Sequence, residues 1–168
     1  MPTVIIRPEA IGSDSGFDQT GTNLLQRIND NNTSTFITNI SSASFDVLIE
    51  NSSAYSGATI NNVIVSVIGN TVNEKVSSAS LVVELRDTSS LLQTSTLNFT
   101  PTESTQSGAA YSTSLTPSVV DSFTVNGTVQ TVGLIIKEVF ITVNYSVSKG
   151  RIILPSGKIT LSSGRITL

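Results

Sequence analysis

Hydrophobic and polar positions alternate most clearly near the end of the chain, over residues 139–147. One set of alternate positions holds Val, Ile, Val, Tyr and Val, and the other holds Phe, Thr, Asn and Ser. Successive side chains of a β-strand point to opposite faces, so this pattern indicates a strand. Nine residues of such alternation do not fit the 3.6-residue period of a helix.

Weaker versions of this pattern recur along the chain. They predict strands over residues 4–7, 33–39, 45–50, 60–67 and 81–86, with less regular candidates at 91–99 and 110–115. Residues 9–21 are predicted to form a loop, and residues 23–28 one helical turn. Asn126 and Gly127 predict a hairpin turn, because both tolerate a positive φ. Short strands between Gly/Ser/Asn-rich turns predict an all-β antiparallel sandwich over residues 1–148.

The remaining residues, 149–168, follow a seven-residue repeat of the form Gly-basic-Ile-x-Leu-x-Ser, which begins at Gly150, Gly157 and Gly164. In each unit the Ile and the Leu fall on one face of a short strand. Such a strand cannot bury its apolar face alone and needs a neighbour. The candidate interaction residues are Arg151, Ile152, Leu154, Lys158, Ile159, Leu161, Arg165, Ile166 and Leu168.

Three arrangements of this repeat remain open. The units could form an arm packed on their own domain, a threefold intertwined β-stem, or a frayed tail. A coiled coil is disfavoured, because glycine, proline and β-branched residues are poor helix formers.

The composition argues against an enzyme. The 168 residues include no histidine and no cysteine, so the usual general base, the commonest metal ligand and thiol chemistry are absent. Charged residues make up only 12% of the chain, and the acidic ones are scattered singly rather than paired as in glycosidases. We therefore expect a non-enzymatic protein that needs no cofactor.

The sequence gives little indication of metal binding, nucleic-acid binding or membrane targeting. Asp14 and Asp18, in a glycine-rich segment, could offer oxygens to Ca²⁺, but their spacing does not match an EF-hand and a plain loop is favoured. A net charge of −3 argues against nucleic acid as a partner. No apolar run reaches the roughly 20 residues that span a bilayer, and none resembles a signal peptide. We expect synthesis in a cytoplasm and no membrane contact.

The order of the predicted elements resembles a jelly-roll domain common in virion proteins of tailed bacteriophages. Three segments carry the resemblance: Ile28 to Ile37 with its acidic turn, the Gly-Ala-Thr-Ile turn and strand from Gly57 to Val67, and the Val-x-Tyr end of the strand from Val139 to Tyr145. The likeness covers roughly residues 3–147. The chain departs from the pattern in having no tryptophan.

The resemblance implies a virion structural protein. Its first expectation is a trimeric capsid decoration or cement protein that binds the major capsid protein or other virion proteins and stabilises the shell. One alternative is a tail, collar or fibre component. Another is a carbohydrate-binding module, which the sequence disfavours because sugar platforms use exposed aromatic rings and the chain has only three Tyr and six Phe.

Overall fold

A computed structural model describes residues 1–17, 27–29, 34–49, 55–72, 76–88, 90–113 and 115–147, with the side chains of residues 40 and 41 left aside. Nine strands form the described fold: β1 Thr3–Ile6, β2 Pro8–Phe17, β3 Ile37–Ile49, β4 Thr59–Thr71, β5 Ala79–Asp87, β6 Ser90–Phe99, β7 Ser104–Ser107, β8 Phe123–Val129 and β9 Leu134–Ser146. A short helix, α1 (Pro117–Val120), precedes β8. No helix in the described ranges is long and apolar enough to cross a membrane.

The strands form two antiparallel sheets. In sheet A the order is β7-β4-β9, and both β1 and the first residues of β3 pair with the far edge of β9. In sheet B the order is β6-β5-β8-β3-β2. Strand β3 belongs to both, because it pairs with β9 at Ile37 and with β8 from Ala43 onward. The expected antiparallel, jelly-roll-like β-sandwich is confirmed.

The core lies between the two sheets and is built by alternation. Val139, Ile141 and Val143 of β9 are buried, and so are Phe45 and Val47 of β3. The intervening positions of both strands are half-buried or exposed. The alternation at residues 139–147 therefore identified the correct inward face of β9.

The predicted hairpin at Asn126 and Gly127 is wrong. Both residues lie inside β8, which pairs with β3 on one side and β5 on the other. Gly127 sits directly opposite Phe45, and a Cβ on it would lie 2.2 Å from the Phe45 Cζ. Glycine is needed there to make room for the Phe45 ring rather than to turn the chain.

Two further expectations are corrected at the sheet edges. Residues 9–17, expected as loop, belong to β2, whose pairing with β3 is interrupted by three register shifts. An edge strand with bulges tolerates glycine and polar residues, so its sequence lacks the regular alternation of apolar and polar positions. The described residues of 110–115, which leave out residue 114, contribute an isolated bridge between Tyr111 and Val63 rather than a strand.

Candidate functional site

A shallow cavity of about 280 Å³ opens beside the start of β3, lined by Arg27, Ser34, Thr35 and Phe36. This volume is close to the lower end, roughly 300 Å³, of known ligand pockets. Phe36 is 42% exposed. Among the described residues it is the one aromatic side chain that is exposed rather than buried or half-buried. We call this cavity the Phe36 pocket.

The sandwich holds both walls of the Phe36 pocket in place. Ile28 follows Arg27 and is fully buried, while Ile37 follows Phe36 and is 1% exposed. Ile37 is also paired with Ile136 of β9, which fixes the backbone at that point. Because adjacent residues of an extended chain face opposite ways, the inward Ile37 directs Phe36 outward.

Two hydrogen bonds tie the pocket together. The Arg27 guanidinium donates from Nη1 to the Phe36 carbonyl oxygen over 3.2 Å and so links one wall to the other. The Asn29 side-chain amide donates to the Pro8 carbonyl, which fastens the segment to the start of β2. The described walls of the pocket are therefore joined to each other and to strand β2.

The lining of the Phe36 pocket combines three kinds of recognition group. The Phe36 ring offers an apolar surface, the Ser34 and Thr35 hydroxyls can both donate and accept, and the Arg27 guanidinium offers several planar donors. An apolar face beside a few convergent polar groups is the usual composition of a small-molecule site. A ligand with C–H groups on one face and hydroxyls around its rim fits this combination.

The outer face of sheet B is a second polar surface. Asp46 of β3, Asn126 of β8 and Glu84 of β5 lie side by side in one row of cross-strand partners. Arg86 pairs with Glu84, with 2.7 Å between Nη2 and Oε2. Burial raises the pKa of Asp46 above its ordinary value, and the nearby Arg86 charge opposes this rise. Within the part of the chain that the structure describes, the Oδ1 atoms of Asp46 and Asn126 are buried without hydrogen-bond partners.

Most of the residues singled out from the sequence lie outside the described part of the chain. All nine repeat residues, from Arg151 to Leu168, lie outside the described residues. Asp14 is half-buried on strand β2 rather than in the favoured loop, and Asp18 lies outside the described residues, so the disfavoured calcium alternative at this pair is not tested. Over the described ranges no three acidic side chains cluster as metal ligands.

Sequence reasoning missed the Phe36 pocket. Phe36 and Ile37 are adjacent apolar residues, and alternation alone does not say which of them faces the core. The available signal was the segment 30–35, whose Asp, Asn, Ser and Thr residues place Phe36 at a loop-to-strand junction. Polar loops on a rigid β-framework commonly carry binding sites.

Comparison with known proteins adds information about the fold. No family model matches the chain, and no curated protein matches its sequence. The chain is similar in structure to the C-terminal CBM6 module of LamC, a laminarinase from Zobellia galactanivorans, with a TM-score of 0.50 and 11% identity over 84% of this chain and 98% of that one. It also matches the carbohydrate-binding module CBM6cm-2 of Cellvibrio mixtus lichenase 5A, solved with cellotriose, at a TM-score of 0.45 and 13% identity over 85% and 97% of the two chains.

The comparison at a TM-score of 0.50 overturns the expected capsid decoration function. The solved structure that shares this sandwich at that score is a carbohydrate-binding module and not a virion protein. The expectation was wrong because the strand pattern that carried it specifies a jelly-roll-like sandwich, and one such fold hosts many unrelated functions. The expected trimer, the virion location and the non-enzymatic character stay predictions.

Proposed function

We propose that this chain is a non-catalytic carbohydrate-binding module and that the Phe36 pocket is its ligand site. The observation that carries the proposal is the exposed Phe36 ring beside the Ser34 and Thr35 hydroxyls and the Arg27 guanidinium. A pyranose ring has a C–H face that can lie on an aromatic ring and a rim of hydroxyls that needs donors and acceptors. The likeness in fold to a module of a laminarinase agrees with this assignment.

The described lining supplies groups suited to recognition. Arginine, serine and threonine side chains form hydrogen bonds with hydroxyl groups, and the phenylalanine ring offers an apolar contact. The non-catalytic character is part of the proposal.

The small pocket sets the expected affinity. A ligand unit that fills about 280 Å³ is of the order of one or two sugar rings. At roughly 0.3 kcal/mol per non-hydrogen atom, a single ring of about a dozen such atoms contributes about 4 kcal/mol, which corresponds to a Kd near 1 mM. The experiment must therefore detect weak binding, for which polymeric ligands with many repeated units are suitable.

Affinity gel electrophoresis meets this requirement. The full chain is run through native gels that contain laminarin, mixed-linkage glucan, xylan, galactan or mannan, one polysaccharide to a gel. We expect at least one polysaccharide to retard the protein, and we expect Phe36→Ala to restore most of its mobility. The loss of ring contact corresponds to about 1–2 kcal/mol, or roughly a 5- to 30-fold weaker Kd.

Leu48→Ala provides the matched control. Leu48 is 40% exposed, close to the 42% of Phe36, but it lies on the outer face of sheet B. Its truncation should leave the retardation unchanged. If no polysaccharide slows the wild-type chain, or if both variants behave alike, the assignment of the Phe36 pocket to carbohydrate is refuted.

A further inference from the structure

Strand β6 forms one edge of sheet B and pairs with β5 alone among the described strands. Its register with β5 is regular over residues 93–99. A regular edge strand presents a row of backbone N–H and C=O groups with which a further strand can pair. This edge is therefore open to strand addition unless another feature of the molecule protects it.

The hydrogen bonds of β5 show which β6 residues face the edge. The backbone N–H of Gln130, just after β8, donates to the Ser80 carbonyl over 2.9 Å, so Ser80 directs its backbone groups toward β8. In an antiparallel ladder this direction alternates with every residue, so the odd-numbered residues of β5 and β6 bond to one another in the regular stretch. Thr94, Thr96 and Asn98 therefore direct their N–H and C=O groups away from β5. In the described part of the chain these groups make no backbone hydrogen bond, and all three residues are exposed.

The other sheet edges are protected in ways that β6 is not. Strands β1 and β7 are only four residues long. Strand β2 carries Glu9 and Asp14, and three register shifts interrupt its pairing. Short length, charge and bulges are the usual devices that prevent an edge from pairing with another chain. Strand β6 runs for ten residues with one register shift, and residues 88–102 contain no charged residue and no proline before Pro101.

Two copies of the β6 edge are complementary to each other. In an antiparallel pair centred on Thr96, this residue faces the same residue of the second copy, and Thr94 faces Asn98 in both directions. These pairs would exchange about six backbone hydrogen bonds. A twofold arrangement of this kind is the commonest symmetry of homo-oligomers. Each chain has a net charge of −3, and an uncharged edge lets two such chains meet without like charges in contact.

We propose that two copies of this chain pair antiparallel through β6, so that their B sheets join across a twofold axis beside Thr96. The backbone supplies the hydrogen bonds, and the exposed Thr and Asn side chains allow each copy to stay in solution alone. Pairing of about seven residues from each copy buries less than the roughly 1,200 Å² of a stable complex. The dimer is therefore reversible, with a dissociation constant on the order of 0.1 mM.

Sedimentation velocity tests for the dimer with the full chain. Between about 5 μM and about 500 μM, we expect the average mass to rise from the monomer value of 17.7 kDa toward twice that value. A constant monomer mass over this range would overturn the proposal, and so would a trimer.

Substitutions at exposed threonines separate the β6 edge from the rest of sheet B. Thr96→Lys sets two like charges opposite each other in the dimer and should weaken it by about fivefold or more. Thr96→Pro removes an N–H that faces the edge rather than β5, and should weaken the dimer by about tenfold or more. Thr128→Lys is the matched control, because Thr128 is also exposed on sheet B but lies on the central strand β8. Equal weakening by the two lysine variants, or no weakening by either change at Thr96, would overturn the proposal.

Disulfide formation locates the contact between the two copies. The natural chain has no cysteine, so Thr96→Cys and Thr128→Cys each carry a single thiol. Directly opposite residues of a hydrogen-bonded antiparallel pair have Cα atoms about 5.5 Å apart, which is within the range of a disulfide. Under mild oxidation at about 100 μM, we expect Thr96→Cys to form covalent dimers about tenfold or more faster than Thr128→Cys. Equal rates would overturn the proposal. The far-UV circular dichroism of each variant shows whether the sandwich has folded.

Discussion

Replacing Gly127 by alanine tests the packing between β8 and β3. Gly127 is flanked on both sides by paired strands, so its backbone has little freedom to move. An added Cβ would lie 2.2 Å from Cζ and 2.3 Å from Cε1 of Phe45. Ordinary carbon contacts are about 3.5–4.0 Å, so the ring would have to shift by more than 1 Å. Phe45 is only 2% exposed, so its ring is enclosed by the core.

The expected cost of Gly127→Ala follows from this geometry. Overpacking of a close-packed core costs about 1–3 kcal/mol, and a contact this short belongs at the upper end. Replacing glycine by alanine also reduces the conformational freedom of the unfolded chain, which offsets the cost by about 0.4–1 kcal/mol. We therefore expect a loss of about 2–2.6 kcal/mol in the free energy of unfolding. For a chain of 168 residues this corresponds to a Tm lower by about 4–10 °C.

Urea unfolding followed by far-UV circular dichroism measures this cost, because the chain has no tryptophan to report by fluorescence. Phe45→Leu removes the ring atoms that clash, so the double variant should be more stable than the sum of the two single changes predicts, by at least 1 kcal/mol.

Gly57→Ala is the control. Gly57 has a φ of +71° but nothing within 4 Å, so its cost of about 1 kcal/mol should not change with Phe45→Leu. A loss below 0.5 kcal/mol for Gly127→Ala, or strict additivity, would refute the reasoning.

Three other changes test single contacts by urea unfolding. Tyr55→Phe removes the hydroxyl that donates to the Asp121 carboxylate, and should cost about 1.5–3 kcal/mol, whereas a cost below 0.5 kcal/mol would mean that the bond adds no net stability. Asn39→Ala removes the Oδ1 acceptor of the buried backbone N–H groups of residues 133 and 134, although the first keeps a long bond to the Asn39 carbonyl; we expect a cost of about 2 kcal/mol, and a neutral result would contradict this role. Burial raises the pKa of Asp46, so the folded state binds its proton more tightly than the unfolded state, and stability from this group falls as the pH rises through the raised pKa. Asp46→Asn should therefore flatten the dependence of the urea midpoint on pH between the ordinary and the raised carboxyl pKa, and an unchanged slope would contradict the assignment.

Alternation predicted the central strands of the fold well. Strands β4, β5 and β9 each bury one face or both, so Val, Ile and Leu recur at every second position. Strand β8 was missed because its Asn126 and Gly127 have the composition of a turn. The reason for that glycine is the Phe45 ring across the sheet, and a contact between residues so distant in the sequence leaves no local trace.

The candidate site was harder to predict than the fold. Arg27 and Phe36 lie nine positions apart on either side of a polar segment, and their meeting depends on how Ile28 and Ile37 anchor in the core. The small number of aromatic residues in the sequence argued against sugar binding. The exposure of one ring, Phe36, in a pocket is more informative than the number of aromatic residues in the chain. The proposed function depends on where Phe36 points, which the pattern of strands does not determine.

Nuclear magnetic resonance mapping of the ligand surface tests the central claim most directly. The full chain is titrated with an oligosaccharide from the polysaccharide that retards it, and amide shifts are followed residue by residue. We predict that the largest shifts fall at Arg27, Ser34, Thr35 and Phe36, and that they disappear in Phe36→Ala at the same ligand concentration. Shifts confined to the outer face of sheet B, around Asp46 and Glu84, would contradict the account, as would shifts that survive Phe36→Ala.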